Sequence, residues 1–198
     1  MTQEKIIILA SGSPRRIEIM KSHGYNPIII PAQIEENLPL YHDMYQTVMF
    51  LALKKAQASF ETYNDNDNKN VTVIAADTIV YKDGEIMGKP ADRKEAFRML
   101  NKLKDDVHYV VTGVAIINSA KAITKVFAEV TKVYFKNYTD EMLNEYLDTD
   151  EAYDKAGAYA IQGYFGKYVD HIDGSMDNVI GFPWERIEKE ILEFDKIL

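Results

Sequence analysis

The sequence predicts an α/β protein, a mixed β-sheet flanked by helices, and three features predict it. Lys5-Ile-Ile-Ile-Leu-Ala10 is a continuous apolar run rich in β-branched residues, the pattern of a strand buried on both faces. It runs straight into Ser11-Gly12-Ser13-Pro14, where Ser13 can cap a helix and Pro14 can occupy its first position. His108–Asn118 and Ala122–Phe135 are two long β-type runs joined by a short turn around Ser119-Ala120, which reads as an antiparallel hairpin. Strand–helix units and hairpins in one chain make a mixed sheet. With 198 residues and no linker-like break, the chain is expected to form a single domain over 1–198.

The remaining elements follow in order. Ile17, Met20 and Lys21 keep helical spacing after Pro14, and Gly24 is placed to end that helix. Asn26 to Ala32 reads as a second strand. Asp43 to about Tyr63 reads as a long amphipathic helix with Val48, Leu51, Ala52, Lys55, Ala56 and Ser59 at helical offsets. Residues 64–70 (NDNDNKN) form a polar loop. Val71 to Tyr81 is a strand, and Lys82-Asp83-Gly84-Glu85 a hairpin turn. Asp92 and Glu95 have capping-box spacing and open a helix to about Leu103. Thr139 to Leu147 is a short helix. Ala156 to Phe165 reads as a glycine-punctuated strand and loop. From Pro183 onward a charged helix carries Ile187, Ile191 and Phe194 as its apolar stripe.

Composition excludes several classes of function. The hydrophobic fraction is 46%, enough for a packed core, and the charged fraction is 27%. The net charge of −8 disfavours a nucleic-acid partner, whose binding rests on Lys and Arg neutralising phosphates. There is no cysteine, so disulfides, thiolate metal sites and cysteine nucleophiles are excluded. No apolar run approaches the roughly 20 residues of a membrane span. The expectation is a cytoplasmic protein with no membrane partner. Basic residues predominate over residues 1–30 and acidic ones over 135–170, a gradient that suits an anion site near the start.

Five groups of residues could carry chemistry. Ser11-Gly12-Ser13-Pro14-Arg15-Arg16 joins a strand to a helix N-terminus, where free N–H groups favour an anion. Two arginines there oppose the helix dipole and so need a compensating partner, a phosphate or acids from elsewhere. Asp77 interrupts the apolar run Val71–Val80, and a buried carboxylate must be paired, hydrogen-bonded or metal-bound. Ile34-Glu35-Glu36 follows a strand; with Asp77 it could supply oxygen ligands for Mg²⁺ or Mn²⁺, although adjacent acids are usually just solvated. Gly88-Lys89-Pro90 holds a lysine beside a restraining proline; alone it is an ordinary turn. In Asp154–Gly163, Gln162 offers a donor and an acceptor together, the chemistry that reads a base edge or satisfies a packed strand. His23, His42, His108 and His171 lack metal-type spacing and read as surface or structural residues. No G-x-S-x-G, P-loop or G-x-G-x-x-G occurs.

Taken as an ordered set, these segments resemble the Maf family of nucleoside triphosphate pyrophosphatases. The matching stretches are LASGSPRR (9–16), IEE (34–36), ADTIV (76–80), GKP (88–90), VTGV (111–114), DKAGAYAIQG (154–163) and GSMDNVIGFP (174–183). The resemblance implies a Maf/ITPase-like fold with two lobes around a central cleft, and a homodimer. It implies house-cleaning hydrolysis of a nucleoside triphosphate to the monophosphate and pyrophosphate, helped by a divalent metal cation, Mg²⁺ or Mn²⁺. Residue by residue, it assigns Asp77 as proton acceptor, Glu36 as the acid working with Asp77 at the metal and water, and Lys89 beside them. Ser11, Arg15, Arg16, Lys55 and Lys89 correspond to positions around the triphosphate. Arg15, Thr78 and Gln162 match the trio of the branch acting on dTTP and UTP. Two departures stand out: Tyr164-Phe165-Gly166-Lys167 replaces a more glycine-rich stretch, and Ala160 replaces the common glycine. The alternatives within reach of the same motifs are a modified pyrimidine triphosphate as substrate and a non-catalytic nucleotide-binding regulator of septum formation.

Overall fold

A computed structural model describes residues 5–35, 43–63 and 70–196, the side chain of residue 195 aside. Glu36, His42 and residues 64–69 of the Asn/Asp loop lie outside the described residues. Seven strands form one sheet: β1 (Ile6–Leu9), β2 (Ile28–Ile29), β3 (Val71–Lys82), β4 (Glu85–Met87), β5 (Val107–Asn118), β6 (Ile123–Phe135) and β7 (Val169–Asp173). Their order is β2-β1-β3-β5-β6-β7, with β4 on β3. β1 runs parallel to β2 and β3, whereas β4 and β7 are antiparallel to β3 and β6. The sheet is therefore mixed, as the sequence predicts. The helices are α1 (Pro14–Ser22), α2 (Met44–Thr62), α3 (Arg93–Leu103), α4 (Asp140–Leu147), α5 (Met176–Ile180) and α6 (Trp184–Lys196). Among the described residues no helix is long and apolar enough to cross a membrane.

Local chemistry explains most boundaries. α1 ends in a Schellman motif: Gly24 N–H donates to Lys21 O and Tyr25 N–H to Met20 O, with Gly24 at φ 82°. Its N-terminus differs from expectation, because Ser13 sits at the cap position without a side-chain cap bond. α2 and α3 are capped by Asp43, which accepts from Gln46 N, and Asp92, which accepts from Glu95 N. Asp83 and Gly84 both have positive φ, the requirement of the tight turn that closes the β3–β4 hairpin. The expected strand at Asn26–Ala32 contracts to two exposed residues, since Pro27 and Pro31 bracket it and cannot donate to the ladder. Ala156–Phe165 forms no strand either. It winds through short 3₁₀ turns at Ala156–Ala158 and Tyr164–Tyr168, preceded by another at Asp150–Ala152.

The chain divides into two compact units. Unit 1 comprises 1–77, 112–129 and 181–198; unit 2 comprises 78–111 and 130–180. Unit 1 has a hydrophobic cluster on each side of its strands. Ile74 and Ala76 join Leu9, Met20, Trp184 and Ile187 in one; Val73 and Ala75 join Ile8, Ala52 and Ala56 in the other. The side-chain period of two thus divides β3 between a layer with α1 and α6 and a layer with α2. Unit 2 is built on Met99, Leu100, Tyr138, Tyr146, Tyr159, Phe165 and Tyr168, whose rings meet mostly edge to face or tilted.

Candidate active site

The alternation along β3 decides where Asp77 goes. Two residues beyond Ala75, it falls on the α2 side, where Ala52 and Ala56 leave room beside the strand. Lys55 of α2 reaches it there, with Nζ 2.5 Å from Asp77 Oδ1. The two side chains are 17% and 12% exposed, so the pair is largely withdrawn from water. The carboxylate that the sequence marked as needing a partner has one. α2 comes this close because of Gly113: a Cβ at that position would lie 2.2 Å from the Val48 carbonyl oxygen. The VTGV stretch is thus a landing place for helix backbone. One residue before Lys55, Lys54 Nζ donates to the Glu35 carbonyl at 2.8 Å, tying the IEE segment to the same helix.

Arg16 occupies the other side of β3. Its Nε donates to Gly181 O at 2.9 Å, and its Nη1 to Ala76 O at 2.7 Å and Ser11 Oγ at 3.3 Å. Burial lowers the guanidinium pKa to about 10; Asp77 opposes that shift and Arg15 adds to it. The group therefore remains charged at neutral pH. These bonds answer why an arginine opposes the dipole of α1: it stitches the loop, the strand segment before Asp77 and the start of the segment leading to α6. Ser11 Oγ also accepts from Ser13 N, shaping the turn ahead of α1. Arg15 is half-buried beside it.

Unit 2 presents the other candidates. Thr78 follows Asp77 on β3 and is half-buried, whereas Lys89 and Gln162 are exposed. Gly88 O accepts from Gly157 N at 3.1 Å, which joins the GKP turn to the AGA turn. Gly157 is at φ 68°, and a Cβ there would lie 2.8 Å from Val80 Cγ2, so only glycine suits the position. Lys155 pairs with the neighbouring Asp154.

Among the described residues no three His, Asp or Glu side chains come together as a metal cage. A site for Mg²⁺ or Mn²⁺ needs fewer protein ligands, one or two carboxylates, with the shell completed by substrate phosphates and water. Asp77 supplies such a carboxylate; Glu36 lies outside the described residues.

A family model described as Maf-like protein matches residues 6–194. The chain belongs to the Maf family. A dTTP/UTP pyrophosphatase of Caldicellulosiruptor bescii is 45% identical over 183 residues, 92% of each chain. One of Bacillus cytotoxicus is 41% identical over 191 residues, 96% of each chain. A third, from Desulfitobacterium hafniense, is 41% identical over 94% of this chain and 84% of its own. The structure of the Staphylococcus aureus Ham1 protein matches with a TM-score of 0.51 at 17% identity, covering 97% of this chain and all of that one. At that identity the likeness is one of fold.

Two contributors to this Maf site escape a reading of the sequence. Gly113 had a signal, a glycine inside an apolar strand, which often marks a close backbone approach. Two acceptors of Arg16 are main-chain carbonyls 60 and 165 residues away in sequence, and carbonyls carry no residue-specific signature.

Proposed function

We propose that this Maf protein hydrolyses dTTP and UTP to the monophosphate and pyrophosphate, as a single cytoplasmic domain over 1–198 that pairs into a homodimer. The observation that carries the reading is the largely buried Asp77–Lys55 pair, with Arg16 bonding Ser11 of the first loop and the Ala76 carbonyl beside it. A carboxylate kept in one orientation by an ammonium, next to a helix N-terminus and a second arginine, is fit to activate water near a polyanion. Three relatives at 41–45% identity carry the name dTTP/UTP pyrophosphatase, and Arg15, Thr78 and Gln162 match the trio of that branch.

In this reading Ser11, Arg15, Arg16, Lys55 and Lys89 bind and neutralise the triphosphate. Asp77 accepts a proton from water as the water oxygen bonds to the α-phosphorus. The bond from that phosphorus to the α–β bridging oxygen breaks, and pyrophosphate departs. Such chemistry needs alignment and charge neutralisation more than covalent help. Asp77 and Glu36 would hold the divalent cation, which when bound offsets triphosphate charge and favours the leaving group. Gln162 reads the pyrimidine edge, since a mismatched base would leave buried polar groups unpaired.

The test is pyrophosphate release from a panel of nucleoside triphosphates with Mg²⁺ or Mn²⁺. Release from dTTP and UTP is expected, with Asp77→Asn lower by about 10²-fold or more, the scale of a lost general base. Near-normal release in that variant overturns the role of Asp77. Tight binding of a nucleotide with no release from any of them would instead support the regulatory alternative. Higher rates on a modified pyrimidine triphosphate would move the substrate within the same class.

A further inference from the structure

We propose that Glu151 is the positioning residue for Gln162: its carboxylate clamps the backbone of the loop that presents the base-reading amide. The inference rests on the reading of Gln162 given above. A primary amide reads a base edge only when its plane is fixed, because a half-turn exchanges its donor and acceptor. Gln162 is exposed, so burial does not hold it. What holds it is its backbone. Ile161 packs against the unit 2 core and Phe165 is buried within it, so the chain is anchored on both sides of Gln162. Gly163 N–H donates to Ala160 O at 3.1 Å and Gly166 N–H to Gly163 O at 3.0 Å.

Glu151 closes this coil from outside. Both of its carboxylate oxygens accept from Tyr164 N at 3.1 Å. Charge-assisted bonds of this kind are stronger than neutral ones. The carboxylate lies where a side chain at 163 would be: a Cβ on Gly163 would fall 1.3 Å from Glu151 Oε1. The placement of Glu151 thus requires a glycine at 163, the residue that follows Gln162. Glu151 is itself placed by Thr149, whose Oγ1 accepts from Glu151 N at 3.4 Å and donates to Tyr146 O at 2.6 Å. The departure from the family pattern adds to the clamp. The Tyr164 ring stacks on Tyr146 at 6.1 Å between centroids and 8° between planes, and Lys167 Nζ lies 3.6 Å from the Tyr164 ring centroid. These contacts tie the Tyr164 side chain to α4 and to its own coil.

Steady-state kinetics on dTTP, UTP and CTP with Mg²⁺ test the assignment. Glu151→Ala should raise KM for dTTP and UTP and cut the preference for UTP over CTP at least fivefold, with kcat changed less than threefold. Glu151→Gln keeps an acceptor oxygen and should restore most of the preference. Gly163→Ala should reproduce Glu151→Ala, and the double variant should be no worse than the poorer single one. Unchanged preference in Glu151→Ala, alongside collapse in Gln162→Ala, overturns the clamp and leaves the reading of Gln162 standing. Unchanged preference in Gln162→Ala overturns that reading itself. Should Glu151→Ala not fold, amide exchange in the unaltered protein decides. Protection of the Tyr164 amide in the unaltered protein, largely kept in Glu151→Gln, supports the clamp, and exchange at the rate of an open amide overturns it.

Discussion

His108 should make this protein lose stability already as pH falls from 6.5 to 5, above the ordinary carboxylate range. The imidazole is fully buried in unit 2, its ring edge-on to Phe135 and Tyr159. Nε2 shares a hydrogen bond with Tyr159 Oη at 2.7 Å, and Nδ1 has no partner among the described residues. Burial, helped by the charge of Lys82 and opposed by Asp106, lowers its pKa from 6.5 to about 3. The folded state therefore holds His108 neutral, whereas the unfolded chain protonates it below pH 6.5. The unfolded state binds the extra proton, so stability is complete above pH 6.5 and falls as pH drops toward 3. At pH 5 the loss is RT ln(1 + 10^1.5), about 2 kcal/mol. For a chain of this size that corresponds to roughly 4–8 °C in Tm. The assay is thermal unfolding at pH 8 and pH 5, comparing the protein with a His108→Phe/Tyr159→Phe variant. That variant removes the titration without stranding the tyrosine hydroxyl. The unaltered protein should lose about 4–8 °C more than the variant between the two pH values. Parallel losses in both would refute the reasoning.

Two further outcomes follow from unit 1. Gly113→Ala places a methyl 2.2 Å from the Val48 carbonyl oxygen, so α2 must shift. The cost should be about 1–3 kcal/mol in denaturant unfolding, with activity reduced further as Lys55 moves off Asp77. Arg16→Lys keeps the charge but cannot span Ala76 O, Gly181 O and Ser11 Oγ together. A loss of about 2–4 kcal/mol is expected, measured as a fall in the denaturation midpoint at unchanged slope.

Legibility in the sequence tracked locality. The order β1–loop–α1, the Asp83-Gly84 turn and the cap at Asp92 each depend on neighbours within a few residues and appear where expected, the side-chain cap at Ser13 excepted. β2 was overestimated because its apolar residues outweighed the two prolines beside them. β7 was missed because Val169-Asp-His-Ile-Asp173 is half-exposed and polar, which gives an edge strand no hydrophobic signature. Ala156–Phe165 misled for a different reason: small residues with Tyr and Ile fit a pleated strand or a tight coil equally well until tertiary contacts choose. At the candidate site, residue types were legible and their partnerships were not. A carboxylate inside β3 announced itself, but its pairing with Lys55 depends on a glycine in another strand. Arg16 stands out in the sequence as a candidate triphosphate neighbour, but its bonds to the main-chain carbonyls of Ala76 and Gly181 have no sequence signature.

The border between the two units runs between Asp77 and Thr78, and the chain crosses it again at 111/112, 129/130 and 180/181. Neither unit is an uninterrupted stretch of gene. Recombination with a relative, even a double crossover, cannot exchange one unit whole while leaving the other untouched. Single substitutions remain a route by which such a chain can take up a new base. Each has to be tolerated in a chain whose proposed proton acceptor, Asp77, and a proposed base-reading residue, Thr78, are joined by one peptide bond.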